Sequence, residues 1–133
     1  ETHGGKELFV HRKGATPAAP GVLGIIPGSM ATPGFLVRGK GGADSLLSAS
    51  HGAGRRMSRR DAVKSITPEQ RDQALSVGKV ELLGGGLDEA PGAYKDIRSV
   101  MAAQSDLVDI LAEFHPRIVR MAGRDEVDRQ EGG

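Results

Sequence analysis

The chain has no cysteine and no tryptophan, and its 133 residues include one tyrosine and three phenylalanines. Without cysteine it can form neither a disulfide framework nor a thiolate metal site, and we expect a reducing, cytoplasmic setting. No apolar run approaches the roughly 20 residues that a membrane-spanning helix needs. The sequence therefore predicts neither a disulfide-rich nor a membrane-spanning protein.

The chain also has no large excess of either charge, since it contains 18 basic and 17 acidic residues and its net charge is +1. Any affinity for nucleic acid must therefore come from a local basic patch. The 20 glycines and 7 prolines predict a loop-rich domain whose binding surfaces are built largely from backbone. The chain starts at Glu1 and its first methionine is Met30, so we expect a piece of a longer polypeptide.

The spacing of apolar residues, glycines and prolines predicts a mixture of strands and helices. Short apolar runs predict strands over residues 8–10, 22–26, 35–37 and 80–83, with 22–26 buried and 17–21 forming a loop. Helices are predicted over about 54–64, from Thr67 to 78, and over 96–104. Thr67, Pro68 and Gln70 form the typical start of the second helix. Residues 107–114 fit either a helix or a strand, and 124–133 are predicted to form a polar tail.

The segment most suited to chemistry is residues 48–60, which read SASHGAGRRMSRR. His51 stands directly before Gly52 and Gly54, which allow a tight turn whose N–H groups point at a ligand. If a helix begins there, its N-terminus favours an anion, and His51 would face a phosphate.

Four arginines follow, and in a helix they form a basic stripe because they are spaced four residues apart in pairs. They are Arg55, Arg56, Arg59 and Arg60. Cations in the first turns of a helix oppose its dipole, so a bound anion would explain the arrangement. The alternative is a solvated basic face beside a structural glycine turn.

Four motifs resemble those of one enzyme family, in order and at about the same spacing. They are HRKGAT at 11–16, PGSM at 27–30, SHGAGRRMSR at 50–59 and EAPGAYK at 89–95. The chain resembles the C-terminal third of an RtcB-type RNA ligase, from His11 to about Gly123. The resemblance implies an α+β fold, an RtcB-like mixed sheet with helices. Residues 1–123 would then be the C-terminal part of a larger catalytic domain.

The resemblance implies an enzyme that uses GTP and manganese in tRNA splicing and RNA repair. It would join RNA ending in a 2′,3′-cyclic phosphate or 3′-phosphate to RNA beginning with a 5′-hydroxyl. His51 would be the catalytic nucleophile, guanylylated by GTP before the GMP passes to the RNA. The implied partners are RNA, either tRNA halves or broken RNA, and an archease-like activator or release-factor-like protein, with no membrane.

The resemblance also implies a nucleotide site, made of Pro27, Gly28, Ser29, Met30, Gly34, His51, Gly52, Ala53, Gly54 and Tyr94. In it Ser29 would contact guanine and the Tyr94 ring would stack on the base. Without the resemblance, Ser29 reads as a turn hydroxyl and Tyr94 as a half-buried packing residue. Arg55 and Arg59 would contact the RNA phosphate. The motif residues His11, Arg12 and Lys13 are either structural or line the substrate cleft.

The chain departs from the family pattern at three places. Pro17 stands where the family usually has an arginine. Ala122-Gly123 stands where the family often has Lys-Gly, with Arg120 or Arg124 as possible substitutes for the lysine. The family's manganese ligands, an aspartate, a cysteine and histidines, are expected upstream of His11. No metal ligand is therefore predicted in this chain, and the lone His3 and His115 are predicted to be surface or structural residues.

Two other functions stay open from the residues. The chain could be a non-catalytic nucleotide- or RNA-binding fragment that lacks the metal-binding half of the enzyme. It could also be a phosphocarrier that uses His51 as a phosphohistidine, although the glycine-rich strands disfavour the helical-bundle form of such domains.

Overall fold

The computed structural model describes residues 1–122 and has the predicted α+β character. Its contacts divide the chain into two compact units. Unit 1 contains Glu1–Pro27, Gly34–Gly54 and Asp96–Phe114; of the described residues, unit 2 contains Gly28–Pro33, Arg55–Lys95 and 115–122. Each unit is thus assembled from separate stretches of sequence.

Unit 1 begins with a small hairpin of β1 (Thr2–His3) and β2 (Lys6–Glu7). Its turn is Gly4-Gly5, and both glycines have positive φ, as a tight two-residue hairpin turn requires. The strand predicted over 8–10 is wrong. Leu8 exchanges two hydrogen bonds with Glu1, but the strand of the hairpin ends at Glu7, and residues 8–10 are not part of a strand.

A second pair in unit 1 consists of β3 (Ala15–Pro17) and β6 (Ser48–Ser50), which run antiparallel. The predicted loop over 17–21 therefore loses its first residue to a strand. Proline is tolerated there because the two-stranded pair leaves one edge of β3 without a partner strand.

The main sheet of unit 1 has the antiparallel order β4 (Leu23–Ile26), β5 (Gly34–Gly39) and β8 (Val108–Phe114). Residues 107–114, which fitted both a helix and a strand, are therefore mainly strand, because the second edge of β5 is available for pairing. The apolar core lies on one face of this sheet and contains Ile26, Phe35 and Val37.

The predicted burial of residues 22–26 is wrong for most of that strand. Leu23 and Ile25 are 60% and 62% exposed, whereas Ile26 is fully buried. The reason is that β4 is an edge strand with only one covered face, so its side chains alternate between inside and outside.

The helix predicted over 96–104 is confirmed as α3 (Ile97–Ala103) in unit 1. Asp96 caps its first turn by accepting a hydrogen bond from the Arg98 N–H, and Ile97 and Met101 are buried. Next to it, the buried Gln104 side chain accepts a hydrogen bond from the Ser50 N–H at 2.8 Å. This bond anchors the end of β6.

Unit 2 contains α1 (Arg59–Ser65), α2 (Pro68–Gly78) and the parallel pair β7 (Glu81–Gly84) and β9 (Ile118–Arg120). The predicted start of α2 is confirmed: Thr67 and Gln70 form a reciprocal capping box, and Pro68 is the first helical residue. Two short 3-10 turns, Leu87–Glu89 and Pro91–Ala93, follow β7 and lead to Tyr94.

The helix predicted over 54–64 begins only at Arg59. Ser58 is its N-cap and accepts a hydrogen bond from the Asp61 N–H, while Gly54 has a φ of +74°. Arg55 instead forms an antiparallel bridge with Tyr94, which holds the backbone before the helix in an extended form. Ala62 is buried within α1, whereas Met57 lies before the helix. None of the helices in residues 1–122 has the length and apolar character of a membrane span.

Candidate functional site

In unit 1, His51 follows the last residue of β6 and is exposed. Its backbone N–H donates to the Gly14 carbonyl at 3.3 Å, and its imidazole makes no hydrogen bond within residues 1–122. Ser50 donates through Oγ to the Gly52 carbonyl at 2.6 Å and is itself held by Gln104. An exposed imidazole thus stands on a backbone that is fixed on both sides.

The glycine turn after His51 packs closely against another predicted site segment. A Cβ on Gly52 would lie 3.3 Å from the Pro27 carbonyl oxygen, and Gly52 and Ala53 are both buried. Of the turn's two glycines, only Gly54 requires positive φ. The structure therefore brings Pro27 and Gly52 together, with no room for a larger side chain at position 52 without some movement.

The predicted helix N-terminus at this turn is wrong, because α1 starts at Arg59. The predicted stripe of four arginines is also wrong in its geometry, since Arg55 and Arg56 precede the helix. A helix dipole consequently supplies no anion-binding field at residues 52–54. The part of the prediction that stays is a tight turn beside an exposed histidine.

In unit 2, the loop Gly28–Pro33 is closed by hydrogen bonds of Ser29. The Ser29 N–H donates to Thr32 Oγ1 at 2.6 Å, and the hydroxyls of Ser29 and Thr32 are 2.9 Å apart. A side chain on Gly28 would overlap the Pro33 carbonyl oxygen, and Met30 is buried. The Ser29 hydroxyl is thus a turn hydroxyl in this geometry, and its contact with guanine stays a prediction.

Arg55, Arg59 and Tyr94 meet in unit 2 around two buried carboxylates, Asp88 and Glu89; we call these five residues the acid–arginine cluster. The Arg55 guanidinium carbon lies 5.0 Å from the centroid of the Tyr94 ring. Its Nη1 donates to the Tyr94 hydroxyl at 3.1 Å, and its Nη2 donates to the Asp88 carbonyl. Its Nε donates to the Met57 carbonyl at 3.1 Å, so each of the three guanidinium nitrogens of Arg55 has a protein partner.

Arg59 is bound to both acids but remains accessible. Its Nη1 donates to Asp88 Oδ2 at 2.8 Å and to Glu89 Oε1, and these hydrogen bonds, Glu89's first, raise the pKa of the guanidinium. The side chain is nevertheless 54% exposed. Arg59 can therefore offer further N–H groups to an external anion, whereas Arg55 is only 24% exposed and donates from every guanidinium nitrogen to the protein.

The hydroxyl of Tyr94 donates to the second oxygen of Glu89, Oε2. Burial of the ring raises the pKa of Tyr94, and the hydrogen bond to the Glu89 carboxylate raises it further. Tyr94 is partly buried, as the packing interpretation of the sequence expected. Both its ring and its hydroxyl have protein partners in the cluster.

The whole described chain, residues 1–122, matches the family model described as tRNA-splicing ligase RtcB. The chain belongs to the RtcB family. The predicted resemblance is thereby confirmed, and the four motifs on which it was based all lie within the matched residues.

Curated RtcB proteins from distant organisms show the same similarity. The RNA-splicing ligase RtcB of Escherichia coli strain K12 is 50% identical over 111 residues, covering 84% of this chain and 27% of that protein. The tRNA-splicing ligase RtcB of Nanoarchaeum equitans is 37% identical over 133 residues, covering 84% and 28% respectively. The RNA-splicing ligase RtcB of Mycobacterium tuberculosis is 33% identical over 130 residues, covering 84% and 30%. The chain thus spans under a third of the length of these relatives.

Sequence reasoning missed the two carboxylates of the cluster. Glu89 was included in the fourth RtcB motif, but neither it nor Asp88 was given a role. A signal was present, because arginines beside a half-buried tyrosine need carboxylate partners, and two consecutive acids stand six and five residues before Tyr94. By contrast, Arg56 and Arg60 form no ion pair within residues 1–122.

Arg12 of the first RtcB motif serves a structural purpose in unit 1. Its guanidinium donates to both carboxylate oxygens of Glu1 at 2.8 Å, to Ser48 Oγ at 2.8 Å and to the Leu46 carbonyl at 3.1 Å. The hydrogen bonds from Arg12, and after them the one from His3, lower the pKa of Glu1 to about 2. His11 and Lys13 are exposed, and the cleft-lining alternative for the three motif residues stays a prediction.

Gly34 has a packing reason of its own. It starts β5 beneath the Phe114 ring, where a side chain would overlap that ring. Its predicted part in the nucleotide site stays a prediction.

The other predicted residues divide between the units: Pro27 and 51–54 are in unit 1, whereas 28–30, Arg55, Arg59 and Tyr94 are in unit 2.

A manganese site needs several His, Asp or Glu side chains that converge on one point. Residues 1–122 contain no group of three His, Asp or Glu side chains that could hold a metal ion. His3 instead contacts the Glu1 carboxylate at 2.8 Å. The residues that the structure describes therefore do not fit the metal that the RtcB resemblance implies. Arg124 and the predicted tail lie outside the described residues.

Proposed function

We propose that this chain is part of a GTP-dependent RNA ligase that acts in the cytoplasm through a guanylylated His51. It would join RNA ends with a 2′,3′-cyclic phosphate or 3′-phosphate to 5′-hydroxyl ends, in tRNA splicing and RNA repair. Residues 1–123 would form part of its catalytic domain. The observation that carries the proposal is an exposed His51 within the matched RtcB motif, whose imidazole forms no hydrogen bond with residues 1–122, in a chain whose relatives are named RNA-splicing ligases.

The chemistry of the proposal requires an imidazole nitrogen with a free lone pair. That nitrogen attacks the α-phosphorus of GTP, a P–N bond forms, and the bond to the leaving pyrophosphate breaks. A 2′,3′-cyclic phosphate end would first be opened by water at the bond to O2′, which leaves a 3′-phosphate. An oxygen of the RNA 3′-phosphate then takes the GMP, breaking the P–N bond. Finally the 5′-hydroxyl attacks the activated 3′-phosphate and GMP leaves. Splitting the reaction in this way replaces one difficult step by several easier ones.

The remaining site residues would bind and orient the reactants. The tight turn at 52–54 would offer backbone N–H groups to phosphate oxygens, chiefly at Gly54, which is exposed whereas Gly52 and Ala53 are buried. Ser29 would contact guanine and Tyr94 would stack on the base. The exposed edge of Arg59 would bind the RNA phosphate, since a guanidinium forms charge-assisted bonds with phosphate.

We assign no step to manganese, because residues 1–122 do not fit it. RNA is the proposed substrate and GTP the proposed nucleotide. An archease-like activator or a release-factor-like partner stays a prediction, and none of the described contacts bears on it.

The test uses a chimera in which this chain replaces the matching region of the E. coli relative, which is 50% identical to it. The chimera is incubated with manganese and GTP labelled at the α-phosphate. We expect a covalent GMP adduct that is acid-labile and alkali-stable, as a histidine phosphoramidate is, and that maps to His51 by mass spectrometry.

Two variants and a control complete the experiment. His51→Ala should abolish the adduct, and so should His51→Asn, which preserves more of the local shape. His11→Ala, another exposed histidine of an RtcB motif, should still form it. An adduct that survives in His51→Ala, or maps elsewhere, would refute the mechanism. A chimera that binds GTP without forming any adduct would favour the non-catalytic alternative.

A further inference from the structure

One buried carboxylate contacts two different residues of the proposed site. Glu89 Oε1 accepts a hydrogen bond from Arg59 Nη1, and Glu89 Oε2 accepts one from the Tyr94 hydroxyl. Arg55 Nη1 lies 3.9 Å from Glu89 Oε1. Glu89 is therefore the side chain of the acid–arginine cluster that contacts all three of the predicted base and phosphate residues.

We propose that Glu89 is a positioning residue of the ligase, whose two oxygens align the base-stacking ring of Tyr94 and the phosphate-binding fork of Arg59. The inference rests on the proposed function of those two residues. It adds that the nucleotide part and the RNA part of the site depend on one carboxylate.

Because Glu89 is buried, its carboxylate depends on both of its donors. Glu89 is 7% exposed, and a buried carboxylate is stable only when charged or polar donors satisfy both its oxygens. Without Glu89, the Tyr94 hydroxyl loses its acceptor and Arg59 keeps only Asp88. Both side chains would then gain rotational freedom, which lowers the fraction of molecules that are ready to bind.

The neighbouring acid does not duplicate this role. The Asp88 carboxylate contacts Arg59 but not Tyr94, and Asp88 holds Arg55 through its backbone carbonyl, which a side-chain substitution leaves in place. Glu89 and Asp88 therefore form a matched pair of buried acids, of which only the first links Tyr94 to Arg59.

Replacing Glu89 by glutamine keeps one of its two contacts and removes the other. A glutamine oxygen can still accept from the Tyr94 hydroxyl, but its NH₂ group faces the donor of Arg59 and cannot accept from it. We therefore expect Glu89→Gln to disturb the RNA part of the site and to spare the nucleotide part. Glu89→Ala should disturb both.

The first measurement uses the purified chain of 133 residues. Because Tyr94 is its one tyrosine and tryptophan is absent, ultraviolet absorbance of tyrosinate reports the ionisation of Tyr94 alone. In Glu89→Gln the pKa of Tyr94 should fall toward the ordinary value of about 10, because the neighbouring negative charge is gone. In Asp88→Asn it should stay as in the parent chain. An unchanged pKa in Glu89→Gln would overturn the proposed contact.

The second measurement uses the chimera with the E. coli relative. Glu89→Gln should weaken binding of a 3′-phosphorylated RNA oligonucleotide about tenfold, the effect of one charge-assisted hydrogen bond, while the GTP concentration for half-maximal adduct formation changes less than about twofold. Glu89→Ala should shift both about tenfold. Glu81→Gln, which alters an exposed acid of β7 outside the cluster, should change neither.

The outcomes separate the two proposals. If the parent chimera forms the His51 adduct and Glu89→Ala leaves both GTP and RNA dependence unchanged, the positioning role is refuted and the proposed function stands. If the parent chimera forms no adduct, the proposed function falls and the inference falls with it. If Glu89→Ala does not fold, Glu89→Gln provides the test. Its binding of RNA should be weakened more than its dependence on GTP, and equal changes in the two would contradict the proposal.

Discussion

The guanidinium of Arg55 lies over the ring of Tyr94, and the backbones of the two residues form an antiparallel bridge although they are 39 positions apart. A cation over an aromatic ring is attracted by the ring's negative face. The pairing joins Arg55 of the SHGAGRRMSR motif to Tyr94 of the EAPGAYK motif, so two RtcB motifs that are distant in sequence share one contact in unit 2.

The same surroundings make stability depend on the protonation of Tyr94. Its pKa is raised in the folded chain by burial and then by Glu89, so folding favours the neutral phenol. This stabilisation is complete below the unfolded pKa of about 10 and is lost as the pH rises through the folded pKa. We expect the free energy of unfolding to fall between about pH 9 and 11 by more in the parent chain than in Tyr94→Phe.

The measurement is urea unfolding at several pH values in that range. Lysine titration affects both proteins alike, so the difference between them isolates Tyr94. Parallel pH profiles for the parent and Tyr94→Phe would show that the ring does not titrate in a buried, carboxylate-bonded environment.

We expect Arg59 to be the arginine that binds the RNA phosphate. Arg59→Ala should weaken binding of a 3′-phosphorylated RNA and reduce the salt dependence of binding by about one phosphate contact. Arg60→Ala provides a matched control, because Arg60 is the next residue of α1, is exposed and forms no ion pair within the described chain.

Affinity is measured in the chimera at several salt concentrations, with circular dichroism to verify folding. The same loss in both variants would indicate a general basic surface. No loss in either would mean that the arginines of α1 are only a solvated face.

Two glycines of the β4–β5 pair should respond oppositely to the same substitution. A Cβ on Gly39 would overlap the backbone of Ala18 and Ala19, whereas one on Gly24 would meet only Val37 Cγ2 at 3.6 Å, an ordinary contact. Gly39→Ala should lower the free energy of unfolding by about 1–3 kcal/mol or more, as overpacking does. Gly24→Ala should be neutral or slightly stabilising, because glycine weakens a strand.

Urea or thermal unfolding of the two variants decides this prediction. If Gly39→Ala and Gly24→Ala are equally stable, the backbone at Ala18 and Ala19 moves away from position 39 at little cost in free energy.

The parts of the fold that sequence predicted are those decided by neighbouring residues. The start of α2 was predicted because Thr67, Pro68 and Gln70 carry their own capping chemistry. The start of α1 was misplaced because Arg55 bonds to Tyr94 rather than to the next turn of a helix. Residues 107–114 could not be assigned, since their strand conformation depends on the edge of β5, a distant partner.

The candidate site divides in the same way. The exposed His51 could be anticipated from its motif and the glycine turn. The burial of Asp88 and Glu89 could not, because it depends on contacts with arginines some thirty positions earlier. Whether an arginine is occupied or available is likewise a property of the folded chain, and here it separates Arg55 from Arg59.

The way the two units are threaded has a consequence for how this part of an RtcB protein can be inherited. In unit 2, β7 and β9 are parallel neighbours, yet the sequence between them includes Asp96–Phe114, which belongs to unit 1. A parallel pair always needs such a long crossover. Neither unit can therefore be duplicated, exchanged or lost as one continuous stretch of gene, and a recombination event within 96–114 alters both at once.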